Sequence, residues 1–275
     1  MLILERPWTR QPQTRVQLNP SMRGGQLAFL PSTFSFVGLN GSIAEYIPST
    51  LETVSDTYGR AVRFNNGTDR IKAPVNGTTL TKLSANMTFA MVWRARDTTA
   101  RAACAFGCRA GSDTKRIILH APYSDGNFYW DYATDAAGRV SGSWGGKSTN
   151  WETLVVVAGQ NKGREVWRNG VRIGSNTASK AVPTDFDADF YIGSNNQINQ
   201  NSDNVDVALF VAATSEWTDS EIISWHRNPY GSTFAPQTQR IWVPSAAAGV
   251  PTLSASTYVP GSLTATGWRP QITAS

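Results

Sequence analysis

One stretch near the middle of the chain constrains the fold more than any other: Arg164-Glu165-Val166-Trp167-Arg168-Asn169-Gly170-Val171-Arg172-Ile173-Gly174. Polar and apolar side chains alternate on both sides of Asn169-Gly170, the period of a strand with one face in a core. Asn and Gly readily adopt positive φ, which a two-residue type I′ turn requires at both central positions. The stretch therefore predicts a tight antiparallel hairpin. A lone hairpin is marginal in water, so the rest of the chain must supply strands that cover it.

Those strands can be read on either side. Ala61-Val62-Arg63-Phe64 alternates and runs into Asn65-Asn66-Gly67, and Met87 to Arg94 puts Met87, Phe89, Met91 and Trp93 on one face. Further strands are expected at Arg116–His120, Asn127–Tyr132, Phe190–Gly193 and Val205–Val211. Thr153 to Ala158 is almost continuously apolar, as in a strand covered on both faces. A helix signal occurs only late. Thr218-Asp219-Ser220-Glu221 is a capping box ahead of Ile222, Ile223 and Trp225, and Pro229 ends that helix by Asn228. Charged residues make up 16% against 23 Gly and 10 Trp, the reverse of a disordered chain's balance. The expected fold is all-β, a two-sheet antiparallel sandwich with one short C-terminal helix. Its 275 residues can build a core without disulfide or metal staples.

Texture divides the chain into three. Residues 1–32 read as an extended N-terminal arm, because Pro7, Pro12, Pro20 and Pro31 would break any helix. Residues 33–230 are the expected sandwich, and 231–275 an extended C-terminal arm whose large apolar residues suit ordering on a partner. Both ends are basic: in residues 1–32, Arg6, Arg10, Arg15 and Arg23 face only Glu5, and in residues 222–275, Arg227, Arg240 and Arg269 face no acid. Arg suits bidentate contacts at protein interfaces. The concentrated basic patch of a nucleic-acid binder is missing, so no nucleic-acid partner is expected. The first residues lack a basic start and an apolar stretch, and no apolar run approaches the roughly 20 residues of a membrane span; synthesis in the cytoplasm without membrane insertion is expected. Cys104 and Cys108 on one strand face would stand about 13 Å apart, too far to bridge, and are expected as buried thiols.

The ordered succession Ala61–Phe64, Met87–Trp93, Trp151–Val157, Val166-Trp167-Arg168-Asn169-Gly170, Tyr191-Ile192-Gly193 and Asp206–Phe210 before the capped helix resembles the concanavalin A-like, laminin G-like jelly-roll superfamily, over about residues 55–228. The ends carry a second likeness. Arg6-Pro7-Trp8-Thr9-Arg10-Gln11-Pro12-Gln13, Asn228-Pro229-Tyr230, Arg240-Ile241-Trp242-Val243-Pro244, Tyr258–Gly261 and Gly267–Pro270 resemble the ends of tailed-bacteriophage structural proteins. That likeness implies a non-enzymatic virion component, made in the host cytoplasm and docked through its arms to tail, baseplate or capsid neighbours. A closed homo-oligomer, a trimer, is expected. The expected interface anchors are Trp8, Arg10, Arg240, Trp242, Tyr258 and Trp268, because Arg and aromatic side chains dominate desolvated interfaces.

Groups for catalysis are sparse. The only histidines are His120 and His226, and no Gly-x-Ser-x-Gly elbow accompanies them. Two Cys and two distant His do not make a zinc set. Glycosidic cleavage needs an acid and a second carboxylate across the bond, and the Glu-x-Asp-x-Glu run of jelly-roll glycosidases is absent. A glycoside hydrolase is thus the weakest reading, and neither enzymatic activity nor a cofactor is expected. Asp185, Asp187 and Asp189 alternate, but Phe190 and Asn196 stand where a calcium loop would need Gly and Glu, so a solvated strand entrance is expected. Laminin G-like domains often hold calcium at one rim, and Asp125, Asp203 and Asp206 are the ligands such a site would use here. The aromatic belt is the remaining candidate. Phe128, Trp130 and Tyr132 share a face expected in the core. Tyr123, Tyr129 and Trp144 are left as stacking surfaces for a host surface glycan, with the loops around Tyr123–Asp125 and Ser143–Asn150 carrying recognition.

Overall fold

The Asn169-Gly170 turn forms with both residues at positive φ, 53° and 74°, and Arg168 faces Val171 across it. The computed structural model describes residues 2–6, 9–12, 16–31, 35–38, 41–43, 51–56, 59–65, 67, 69–76, 85–109, 115–133, 138–183, 188–194 and 202–241. In chain order the strands are β1 (Leu2–Arg6), β2 (Gly25–Leu30), β3 (Ser35–Gly38), β4 (Gly41–Ile43), β5 (Glu52–Asp56), β6 (Gly59–Phe64), β7 (Ile71–Asn76), β8 (Met87–Ala95) and β9 (Phe106–Arg109). They continue as β10 (Arg116–His120), β11 (Asn127–Ala133), β12 (Arg139–Ser143), β13 (Glu152–Gly159), β14 (Gly163–Arg168), β15 (Val171–Asn176), β16 (Asp189–Ile192) and β17 (Val205–Ala213). Helices α1 (Asp219–Arg227) and α2 (Pro229–Thr233) follow, and then β18 (Gln237–Ile241). No helix among the described residues is long and apolar enough to cross a membrane.

Two antiparallel sheets make the sandwich. The smaller runs β12-β11-β10-β9-β16-β7 and the larger β15-β14-β13-β8-β17-β2-β3-β4, with β6 also on β17 and β5 on β6. Strands β1 and β18 form a separate two-stranded sheet. The alternation in β8 sends Met87, Phe89, Met91 and Trp93 between the sheets, where they meet Phe106, Trp130 and Phe190. Phe89 stacks on Phe190 at 5.6 Å and meets Trp130 edge-on at 5.8 Å.

The other face of the larger sheet is equally dry. Ala90, Val92, Val155 and Val157 face a second core built from Leu18, Met22, Trp217, Ile222, Trp225, Tyr230 and Phe234. This explains the unbroken apolar run in β13, whose eight residues are all buried. A sheet apolar on both faces needs a layer on each, and here the outer layer comes from both ends of the sandwich sequence.

Both expected domain boundaries consequently fall inside the folded body. β2 lies within residues 1–32 yet pairs with β17 and buries Leu27, Ala28, Phe29 and Leu30. Upstream, Gln11 is 4% exposed; its amide donates to the Arg60 and Ala208 carbonyls at 2.7 and 3.1 Å. Leu18 bridges to Phe234, which is fully buried beyond residue 230. Proline rules out helix but not an extended cover over a sheet, so the Pro-rich texture misplaced the first boundary. Of the expected anchors, Arg10 is exposed and Arg240 belongs to β18; Trp8, Trp242, Tyr258 and Trp268 lie outside the described residues.

Helix α1 begins as the sequence predicts. The Glu221 N–H donates to Thr218 Oγ1 at 3.3 Å and the Thr218 N–H to Glu221 Oε2 at 2.6 Å. It stops at Asn228, which caps α2 in turn. Thr218→Ala is expected to lower unfolding free energy by about 1 kcal/mol, read from the denaturant midpoint.

Candidate functional site

The register of β10 on β11 sets His120 beside Tyr129 and Ile118 beside Asp131. With period-2 alternation, Ile117, Leu119, Phe128, Trp130 and Tyr132 enter the core, and His120, Tyr129 and Asp131 take the outer face of the smaller sheet. β12 adds Arg139 beside Asp131 and Ser141 beside Tyr129. This face opens toward the β10–β11 turn, where Asp125, Ser141 and Ser143 are exposed and Tyr123 and Tyr129 half-buried. The turn is held by the Tyr123 N–H on the Asn127 carbonyl at 2.7 Å and by Gly126, whose φ of 80° favours glycine.

Three rings converge there. His120 and Tyr123 meet edge-on at 5.0 Å, Tyr123 and Tyr129 at 5.9 Å, and His120 and Tyr129 at 6.5 Å. The Tyr129 hydroxyl donates to Asp125 Oδ2 at 2.5 Å. This bond holds the Asp125 carboxyl below its ordinary range and raises the Tyr129 phenol. Arg139 lies 4.9 Å over the Tyr129 ring and donates to both oxygens of buried Asp131, at 2.6 and 2.8 Å. The result is a rim with aromatic edges, one exposed carboxylate and a guanidinium fixed behind them. Such a mix of stacking surface and orienting polar groups suits a polyhydroxylated ligand.

His120 stabilises this rim in its neutral form. Its Nδ1 is 2.6 Å from the Ala103 carbonyl, which can only accept, so Nδ1 carries the proton. Burial lowers its proton affinity below the ordinary 6.5, and burial acts the same way on His226. Below pH 6.5 the unfolded chain therefore takes up protons that the folded chain refuses; stability is full above that pH and falls beneath it. His120→Asn keeps a donor for Ala103 and removes the titration. The variant is expected to lose less melting temperature than the parent between about pH 7.5 and pH 5.

Of the three residues expected to contact a glycan, Tyr123 and Tyr129 come together and Trp144 does not. Trp144 is 3% exposed, edge-on to Trp93 at 6.1 Å and beneath the Arg168 guanidinium at 4.5 Å. It lies just past β12, where strand alternation no longer gives its direction. His120 and Arg139 were missed as members of the rim. The register of the hairpin, not either strand alone, brings them to Tyr129. Tyr191 was missed too; on the same sheet it carries Arg70 at 4.6 Å over its ring.

The three aspartates considered for calcium do not converge. Asp203 is held by Arg101 at 3.0 Å and by Lys147 at 2.6 Å, whose side chain is 1% exposed. Asp206 is held by Arg63 at 3.0 Å and Arg94 at 2.8 Å, and Asp125 by Tyr129. Among the described residues no three His, Cys, Asp or Glu are grouped to hold a metal ion. Protein cations thus hold Asp203 and Asp206, and a phenol holds Asp125. Lys147 also donates to the Thr99 carbonyl at 2.8 Å, pinning the 144–150 loop. Asp185 and Asp187 lie outside the described residues, and Asp189 pairs with Lys72 at 2.7 Å. Cys104 and Cys108 are buried thiols, raised in pKa by burial.

Comparison with solved structures gives domain 4 of AbnA, a GH43 extracellular arabinanase from Geobacillus stearothermophilus, in complex with arabinotriose. It matches with a TM-score of 0.54 at 19% identity, over 77% of this chain and 98% of that one. Trypanosoma rangeli sialidase in complex with sialic acid matches with 0.52 at 14% identity, over 75% of this chain and 33% of the sialidase. The botulinum neurotoxin serotype D binding domain matches with 0.55 at 11% identity, over 78% of this chain and 54% of that one. The chain thus spans a third of the sialidase and about half of the neurotoxin chain. No family model and no curated protein matches the sequence. At these identities the likeness concerns the fold alone: the chain is an antiparallel two-sheet β-sandwich of the jelly-roll kind.

Proposed function

We propose that this protein is a non-enzymatic glycan-recognition subunit of a tailed-phage particle, with its sugar site at the rim formed by His120, Tyr123, Asp125 and Tyr129. The observation that carries recognition is the convergence of those rings around an exposed, Tyr-bonded carboxylate. Two matching structures add support: the arabinanase domain holds arabinotriose and the neurotoxin domain is a binding domain. Against catalysis stands the state of the carboxylates. A glycosidase acid must have a raised pKa, whereas Asp125, the exposed carboxylate of the rim, is held low.

A glycan array probed with the full chain tests recognition. Tyr129→Ala and Tyr123→Ala are each expected to weaken binding at least about tenfold without changing the melting temperature appreciably. Parent-like binding by both variants would remove the rim from consideration. Carriage on a virion is supported by the likeness of both chain ends to phage structural proteins. Because Phe234 is a core residue, the informative truncation removes 242–275: a folded protein that no longer enters particles is expected, and undiminished incorporation refutes arm docking.

A further inference from the structure

We infer that Arg139 and the buried Asp131 are positioning residues of the β10–β11 rim, which set the orientation of the Tyr129 ring and, through it, of the Asp125 carboxylate. The inference rests on the glycan reading of that rim and names what holds the rim in its binding shape.

β11 and β12 pair Asp131 with Arg139 and Tyr129 with Ser141. Arg139 is therefore the diagonal neighbour of Tyr129 on the outer face, within reach of a long side chain. The Asp131 side chain is 1% exposed and accepts from Arg139 Nε at 2.6 Å and Nη2 at 2.8 Å. Arg116, itself buried, lies 3.1 Å from one of the same oxygens. Two bonds to one carboxylate fix the plane of a guanidinium as well as its place. So fixed, the Arg139 Cζ lies 4.9 Å from the centroid of the Tyr129 ring, whose face attracts a cation. The ring in turn donates its hydroxyl to Asp125 at 2.5 Å. Asp125 also accepts the Asn127 N–H at 3.0 Å, and as an exposed side chain it gains rotamer freedom whenever the Tyr129 bond is lost. The links run from a buried carboxylate to a guanidinium, a ring and an exposed carboxylate. Each is directional, so orientation set at the buried end reaches the ligand-facing end. A rim ordered in advance loses less freedom on capture. Lysine at 139 would keep the charge and break the series, because an ammonium on a flexible stem cannot bond both Asp131 oxygens while lying over the ring.

The test follows Asp125 in the full chain by carboxyl-carbon NMR between about pH 6 and pH 3, beside the affinity for the glycan that binds best on the array. Arg139→Lys, at a half-exposed position, is expected to stay folded with a melting temperature near the parent's. It should protonate Asp125 at a higher pH than the parent does, toward the value in Tyr129→Phe, and weaken glycan binding at least about fivefold. Asp131→Asn is expected to move Asp125 in the same direction. Loss of a nearby negative charge would by itself move it the other way, so the sign identifies the lost Tyr129 bond. The inference is overturned if Arg139→Lys titrates Asp125 and binds glycan as the parent does. It is equally overturned if affinity falls while the Asp125 titration stays put, because Arg139 would then meet the sugar directly. A parent that binds no array glycan refutes the glycan reading instead, and the Asp125 titration still decides whether Arg139 holds the rim.

Discussion

Trp130→Ala is expected to cost about 4 kcal/mol of unfolding free energy, the largest loss from any single change proposed for this fold. The indole is fully buried and meets Phe89 at 5.8 Å, Phe106 at 6.0 Å and Tyr132 at 5.9 Å. Its Nε1 donates to the Val157 carbonyl at 3.0 Å, a direct bond from β11 in one sheet to β13 in the other. Alanine would leave a cavity between close-packed aromatics that cannot collapse onto it. Trp130→Phe keeps most of the ring contact and loses the N–H, so about 1–2 kcal/mol is expected. Guanidinium denaturation with an unchanged m-value measures both. A loss under about 1 kcal/mol for the alanine variant would mean that this cluster does not hold the sheets together.

Asp206→Ala is expected to cost about 3 kcal/mol. β17 sets Asp206 between Arg63 of β6 and Arg94 of β8, and the fully buried carboxylate bonds both at 3.0 and 2.8 Å, with Arg96 at 3.8 Å. Glu52, at 3.4 Å from Arg63, adds little at its exposed position. Removing the carboxylate leaves three half-buried guanidinium groups facing one another with their anion gone. Asp206→Asn separates charge from shape: it is expected to lose most of the same energy, because an amide of nearly equal volume cannot neutralise them. An asparagine variant as stable as the parent would place the effect in packing instead.

Asp206 also marks the limit of what local pattern reveals. Sequence pattern places it at the start of a strand, and only the laminin G-like resemblance makes it a candidate calcium ligand. Its partners come from strands 143 and 112 residues earlier, a pairing no window of sequence contains. Trp144 failed for a related reason: strand alternation fixes direction only inside a strand. Tyr123 and Tyr129 were legible because one is half-exposed by alternation against Phe128 and Trp130, and the other sits in a turn. His120 and Arg139 joined them only through the register of β10, β11 and β12.

The amino-acid order by itself determined the elements whose signals are local. Positive φ at Asn169-Gly170, two-residue periodicity in β8 and β11, and the Thr218–Glu221 capping box each depend on neighbours a few residues apart, where backbone sterics and short-range hydrogen bonds dominate. The tertiary structure alone decided which strands adjoin and what covers the larger sheet. It drew Leu18, Met22 and residues 217–234 over an apolar outer face and surrounded Asp206 with arginines from distant strands. Those outcomes depend on burying apolar area and neutralising charge over the whole molecule, and a chain's local preferences carry no record of either.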